Sequence, residues 1–263
     1  MPEKEQEKLP QRYPFIAVVG PVGIGKTKFT ELAVEETGIT QFQEPYPENP
    51  YLEDFYNDPD KNSNSFNSQM FFLANKGLQI KKINELARTE PVIQDPGKEV
   101  DLIIANVQWK MGWMTDDEHM AYMSTYSEVY KNALKPDVYV ALEASENTVI
   151  ERIVKRGRAM ELTMLEKCPD YFPALLWEFN RWLKEKLEED KSWVTVIDTD
   201  KFDFARDSSL EEEIAIEAKN WIDYYLTNAN QRNYIGSDGA KLIIPGSLRI
   251  IPHYVDYVPP PEK

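Results

Sequence analysis

Eight consecutive residues, Gly20-Pro21-Val22-Gly23-Ile24-Gly25-Lys26-Thr27, set three glycines, an ammonium group and a hydroxyl in an order suited to binding phosphate. They fit G-x-x-x-x-G-K-S/T at every fixed position. Glycine has no Cβ, so the backbone N–H groups of such a loop can close round a phosphate. Gly20, Val22, Gly23, Ile24 and Gly25 would form that cradle, with Lys26 reaching the β- and γ-phosphates and the Thr27 hydroxyl holding Mg²⁺. The chemistry implied is that of a nucleoside triphosphate. The loop follows an apolar run, Ile16-Ala17-Val18-Val19, and precedes helix-forming sequence, Phe29 to Glu36. A strand on one side and a helix on the other make the pattern far more specific than the short motif alone.

Other residues could work beside the loop. Glu44 follows a short strand-like piece, Ile39 to Gln43, and three prolines (Pro45, Pro47, Pro50) keep what comes next irregular. A carboxylate there faces the place where open α/β sheets bind ligands. Asp95 ends a third strand, Pro91 to Asp95, and reads equally as a Mg²⁺ carboxylate or as a turn-starting residue before Pro96-Gly97. Arg152, Lys155, Arg156 and Arg158 gather at the end of a helix in an otherwise acidic chain. They suit the helix dipole, and Arg156-Gly157-Arg158 also suits a closing phosphate clamp, the reading favoured beside a phosphate loop. Gln69 and Lys76 lie on or near the apolar face of a long helix, where Gln69 alone reads as a satisfied polar residue.

The elements that must position these groups alternate. Expected helices cover Tyr51 to Tyr56, Ser65 to Arg88, Val100 to Met111 and Thr115 to Leu134, the last opened by a Thr115–Glu118 capping box. Asp137 to Leu142 reads as a fourth strand, and a helix from Glu146 runs into the basic cluster. Then come an amphipathic helix Pro173 to Glu189, a fifth strand Trp193 to Asp198, and a last helix from Ser209 to Leu226. Such alternation predicts a five-stranded parallel sheet with helices on both faces, a P-loop NTPase α/β fold. The tail from Asn228 differs: Leu242-Ile243-Ile244 and Leu248 to Ile251 flank Pro245-Gly246, a hairpin or edge strand that packs on the domain or on a protein partner. His119 reads as a surface histidine.

The whole chain is 263 residues, with 42% hydrophobic and 29% charged residues, the composition of one sizeable globular domain. A net charge of −15 argues against general nucleic-acid binding. Cys168 is the one cysteine, so no internal disulfide forms and a reducing compartment such as the cytoplasm is expected. No apolar run reaches the length of a membrane span, and the first residues are charged and unlike a signal peptide.

Taken in order, these motifs resemble the deoxynucleoside kinase family, in particular its bacterial deoxyadenosine/deoxyguanosine branch. The likeness spans Phe15 to Leu226 and rests on six segments. These are the phosphate loop, EPYPENPYLEDFYNDP (44–59), SQMFFLANK (68–76), Gln94-Asp95, PDVYVALEAS (136–145) and ERIVKRGRAME (151–161). The resemblance implies an N-terminal arm (1–12), a kinase domain (13–226, lid about 155–165), and an extension (227–263) that has no counterpart in the family. It implies ATP- and Mg²⁺-dependent phosphorylation of a nucleoside 5′-hydroxyl, in a homodimer through the helices at 100–111 and 115–134. By the same resemblance, Glu44 is the general base, and Tyr56 with Glu161 grips the sugar 3′-hydroxyl. Gln69 reads the base, and Arg152, Arg156 and Arg158 are lid arginines. Asp203-Phe204 contacts the adenine of ATP.

Two departures from the family pattern bear on chemistry. The third strand usually ends in Glu/Asp-Arg-Ser; here Asp95-Pro96-Gly97 supplies no arginine, and Lys98 is the cation that could substitute from a shifted position. Lys76 stands where base-reading members carry arginine, and with Asp101 it would offer a donor and an acceptor to an amino-bearing base. The leading expectation is a deoxypurine kinase. A kinase of nucleoside monophosphates and a catalytically weak nucleotide-binding subunit of a larger complex are the alternatives.

Overall fold

The computed structural model describes residues 13–44, 46–189 and 193–201. Five strands form one parallel sheet: β1 (Phe15–Val19), β2 (Thr40–Gln43), β3 (Val92–Asp95), β4 (Val138–Glu143) and β5 (Trp193–Asp198). Their order across the sheet is β2-β3-β1-β4-β5. The helices are α1 (Lys26–Thr37), α2 (Leu52–Asn57), α3 (Asn64–Leu86), α4 (Lys98–Lys110), α5 (Asp116–Tyr130), α6 (Glu146–Arg156), α7 (Ala159–Lys167) and α8 (Tyr171–Glu189). The five-stranded parallel α/β fold expected from the sequence is the one observed.

Side-chain alternation along β1 builds a core on each face of the sheet. Ile16 and Val18 join one cluster with Phe29 and Leu32 of α1 and Val149 and Ile153 of α6. Ala17 and Val19 join the other, with Val100 and Ile103 of α4 and Phe179 and Leu183 of α8. Outside the sheet, α3, α4 and α5 share a third cluster that includes Leu73, Ile80, Ala105, Tyr122 and Tyr130. In α3 the buried line runs through Gln69, Leu73, Lys76, Ile80 and Ile83, at helical spacing. Leu78, in the same helix, falls on the opposite side and is 63% exposed.

Local rules set several helix ends. Gly38 closes α1 in the left-handed conformation at φ 67°. Thr115 caps α5 with both halves of the capping box: its hydroxyl accepts from the Glu118 N–H, and the Glu118 carboxylate accepts from the Thr115 N–H at 2.8 Å. Thr115→Ala should therefore cost about 1 kcal/mol, read as a lower denaturation midpoint at unchanged slope. α4 starts two residues before the expected Val100, so Glu99 and Asp101 lie in its first turn. α7 was not expected from the sequence: the chain after Gly157 forms a helix where a closing loop was anticipated. His119 is half-buried, stacked on Trp109 at 4.4 Å and 2.9 Å from Asn106 Oδ1. The arm 1–12, the helix from Ser209 and the extension 227–263 lie outside the described residues.

Candidate active site

The loop between β1 and α1 lies under α6. Gly23 holds φ 85°, and a Cβ there would stand 2.9 Å from Ile153 Cγ1 of α6, so glycine is needed on both counts. Gly25, at φ 106°, is the N-cap of α1 and turns the first N–H groups of that helix toward the loop. Lys26 Nζ donates to the carbonyl oxygens of Gly20 and Pro21 at 2.8 and 2.9 Å. Burial lowers the Lys26 pKa, opposed by the carboxylates of Asp95 and Glu44.

Those two carboxylates leave neighbouring strand ends. The β2–β3 register pairs Gln43 with Asp95, and the Glu44 N–H donates to the Asp95 carbonyl at 3.0 Å. Asp95 is 2% exposed, and its Oδ1 has no hydrogen-bond partner among the described residues. Burial raises its pKa, opposed by the Lys26 ammonium and a hydrogen bond from Thr27. An orphaned carboxylate oxygen beside a hydroxyl, at the mouth of a phosphate loop, is a donor set that fits a hard divalent cation completed by phosphate and water.

Glu44 also faces a buried charge. Its Oε1 lies 3.2 Å from Lys76 Nζ, and the same ammonium lies 2.5 Å from Asp101 Oδ1, whose Oδ2 accepts from the Tyr130 hydroxyl at 3.4 Å. Burial by itself would lower the Lys76 pKa; Asp101 and Glu44 together outweigh it and hold it raised. The structure brings Lys76 and Asp101 together as expected, but behind Glu44: neither is among the residues that line the cleft. A lysine is a point charge that two carboxylates can hold, and here they draw it inward.

The cleft has a volume of about 830 Å³. Glu44, Tyr56, Gln69, Asp95, Arg152, Arg156, Arg158 and Glu161 all line it, together with the phosphate loop. Gln69 is 3% exposed, yet its Oε1 lacks a partner among the described residues, so it is not the satisfied core glutamine that sequence alone favours. Phe72 and Tyr171 add apolar wall that sequence reasoning missed, because buried aromatics on helices carry no signal that separates a cleft from a core.

The basic cluster divides. Arg156 grips Glu161 with a forked pair of bonds, 3.0 Å from Nε and 2.7 Å from Nη2, while Arg158 reaches Glu161 at 3.4 Å and lies over the Tyr46 ring at 4.5 Å. Tyr56, in the same corner, has its phenol pKa raised first by burial and then by Tyr171 and Glu161. Arg152 takes a different position: its guanidinium donates to the Ile24 carbonyl of the loop at 3.2 Å and to Thr199 Oγ1 and O at 2.8 and 2.6 Å. That spends its donors on tying the loop to the end of β5. Arg152→Ala should raise KM for the phosphate donor about tenfold and cost about 2 kcal/mol in thermal unfolding. A lid arginine alone would lower kcat and leave stability unchanged. Lys98 lies on α4 with its Nζ over the Tyr130 ring at 5.1 Å, away from the cleft, so it does not replace the missing arginine. Asp203 and Phe204 lie outside the described residues.

Residues 16–223 match the family model described as deoxynucleoside kinase. The chain is 30% identical over 212 residues to the deoxyguanosine kinase of Bacillus subtilis, covering 80% of this chain and 98% of that one. It is 32% identical to a deoxyguanosine kinase of Lactobacillus acidophilus, covering 77% of this chain and 87% of that one. Among solved structures it is similar to the deoxyadenosine kinase from M. mycoides with bound dCTP, at TM-score 0.65 and 27% identity, over 79% of this chain and 100% of that one. The match over most of its length, with loop, carboxylates and arginines lining one cleft, places this chain in the deoxynucleoside kinase family, whose chemistry is phosphoryl transfer to a nucleoside.

Proposed function

We propose that the protein transfers the γ-phosphoryl group of ATP, with Mg²⁺, to the 5′-hydroxyl of a deoxypurine nucleoside. The observation that carries this reading is the meeting of Glu44, Asp95 and Lys26 on the wall of one cleft, at the mouth of the phosphate loop. The loop N–H groups and Lys26 hold the donor's β- and γ-phosphates; Thr27 and Asp95 would hold Mg²⁺, which would supply charge neutralisation there. Glu44 accepts the 5′-hydroxyl proton while that oxygen forms its bond to the γ-phosphorus and the bond to the leaving ADP oxygen breaks. Tyr56 and Glu161 grip the 3′-hydroxyl, and Arg156 and Arg158 take up charge on the phosphoryl group as the lid closes.

A purine is favoured by the Gln69 side chain, whose Oε1 has no partner among the described residues and whose amide carries both a donor and an acceptor, and by relatives that are deoxyguanosine and deoxyadenosine kinases. The family likeness also supports a homodimer through α4 and α5, which sedimentation would report at about twice the chain's 30.6 kDa.

The deciding experiment is a transfer assay with Mg²⁺-ATP against the four deoxynucleosides, their ribo forms and the monophosphates. Transfer to deoxyadenosine or deoxyguanosine above all others is the expected result. Preference for a monophosphate would replace the acceptor, and ATP binding without transfer to anything would overturn the kinase reading.

A further inference from the structure

Lys76 contributes a buried positive charge to the site from outside the cleft. Its side chain is completely buried on α3, and its ammonium bridges Glu44 at 3.2 Å and Asp101 at 2.5 Å. Asp101, on α4, is in turn fixed by the Tyr130 hydroxyl of α5. The turn that follows Asp95 offers Glu44 no cation, since Pro96 and Gly97 carry none and Lys98 lies over Tyr130. Lys26 also acts on Glu44 through space, but its donors are engaged with the Gly20 and Pro21 carbonyls and its role is at the phosphates. Among the described residues, Lys76 is the cation in salt-bridge contact with Glu44.

We propose that Lys76 is a positioning residue for Glu44. Its ammonium fixes one carboxylate oxygen and so aims the other at the substrate hydroxyl, and Asp101 and Tyr130 hold the ammonium in register. The aim of the proton acceptor is then set by α3, α4 and α5, and the β3–α4 turn is free to carry Pro96 and Gly97. An ammonium with three donors suits this role, because two go to the two carboxylates and none needs to cross to the cleft wall. Reading of the base is left to Gln69, which does line the cleft. The inference rests on Glu44 being the proton acceptor.

The test is steady-state transfer by the intact protein carrying Asp101→Asn or the charge-balanced pair Lys76→Met/Asp101→Asn. Each is made with Glu44 present and with Glu44→Gln, and thermal unfolding is followed in parallel. Removing both partners avoids leaving Asp101 as an uncompensated buried carboxylate. Relative to Asp101→Asn, the pair should lose about 100-fold in kcat, the scale of a misplaced catalytic group, with KM for the nucleoside within about threefold. In the Glu44→Gln background the same pair should change the residual rate little, because nothing is left to aim. Lys76→Gln/Asp101→Asn, whose amide still donates to Glu44, should recover about tenfold over the Met pair, and it serves alone against Asp101→Asn if the Met pair fails to fold. A raised nucleoside KM with kcat preserved would make Lys76 a base-reading residue and overturn the proposal. Equal losses in both backgrounds would reduce it to structural support. Full activity of Glu44→Gln by itself would instead remove Glu44 as proton acceptor, a separate failure visible before any Lys76 variant is read.

Discussion

Glu44→Gln should lower kcat by about 10³-fold while binding of both substrates and the fold survive, because the substitution removes proton acceptance and little else. The amide is close to the carboxylate in size, and the side chain it replaces is 24% exposed on the cleft wall, so no packed core is disturbed. The backbone bond from residue 44 to the Asp95 carbonyl does not involve the side chain and stays in place. Lys76 keeps its bond to Asp101, so no buried charge is orphaned. What disappears is the group able to take the hydroxyl proton as the new bond to phosphorus forms. The loss should be in kcat with KM for nucleoside and donor nearly unchanged, the mark of an interaction made in the transition state. Single-turnover transfer with excess enzyme checks that the chemical step, and not product release, is slowed. Turnover equal to the parent would take Glu44 out of the mechanism.

The sheet was legible because its strands are short and, apart from the edge strand β2, rich in β-branched and other apolar residues. β5 matches its expected span at both ends, β1 begins one residue earlier than expected, and β4 is shifted by one residue at each end. Cap chemistry was equally legible, since Thr115 with Glu118 and Gly38 act within one turn of chain. The phosphate loop, Glu44 and Asp95 could be read for the same reason: each sits where a strand ends, and in a parallel sheet strand ends converge.

What escaped the sequence depends on contacts between distant segments. Arg152 lies in the same basic run as Arg156 and Arg158, yet one turn of α6 separates a guanidinium bound to Thr199 from one bound to Glu161. No spacing rule distinguishes the two, because the choice is made by the end of β5, 47 residues away along the chain. Lys76 is the same kind of case. Its partnership with Asp101 was expected, but the direction of its ammonium is decided by Glu44 arriving from β2. α7 escaped because Gly157 reads as the hinge of a loop, whereas it closes α6 at φ 69° and α7 begins two residues later.

Lys26→Ala should lower kcat/KM by about 10³-fold, the scale seen when a single preorganised charge is taken from a developing anion. The loss has two parts. A donor phosphate bound without Lys26 keeps the loop N–H groups but loses the ammonium that spans its β- and γ-oxygens, so KM for the donor rises. As charge moves toward the leaving oxygen the same ammonium would have stabilised it more strongly, so kcat falls as well. A further consequence falls on Asp95. Its carboxyl is already raised by burial and is lowered chiefly by Lys26, so removing that charge pushes it up again. The variant should then retain Mg²⁺ less well as the pH drops, because protonated Asp95 offers no anionic ligand, and its acid limb should lie above the parent's. Stability should change by no more than about 1 kcal/mol, since alanine is the best helix former and residue 26 opens α1. The carbonyls of Gly20 and Pro21 lose a donor, but solvent entering the cleft can replace it. Measuring donor affinity, transfer rate and Mg²⁺ titration on the one variant separates these parts. A normal kcat with only a raised KM would show that Lys26 binds the donor equally in ground and transition state, and the charge that carries the reaction would then have to come from Arg156 and Arg158, which line the same cleft.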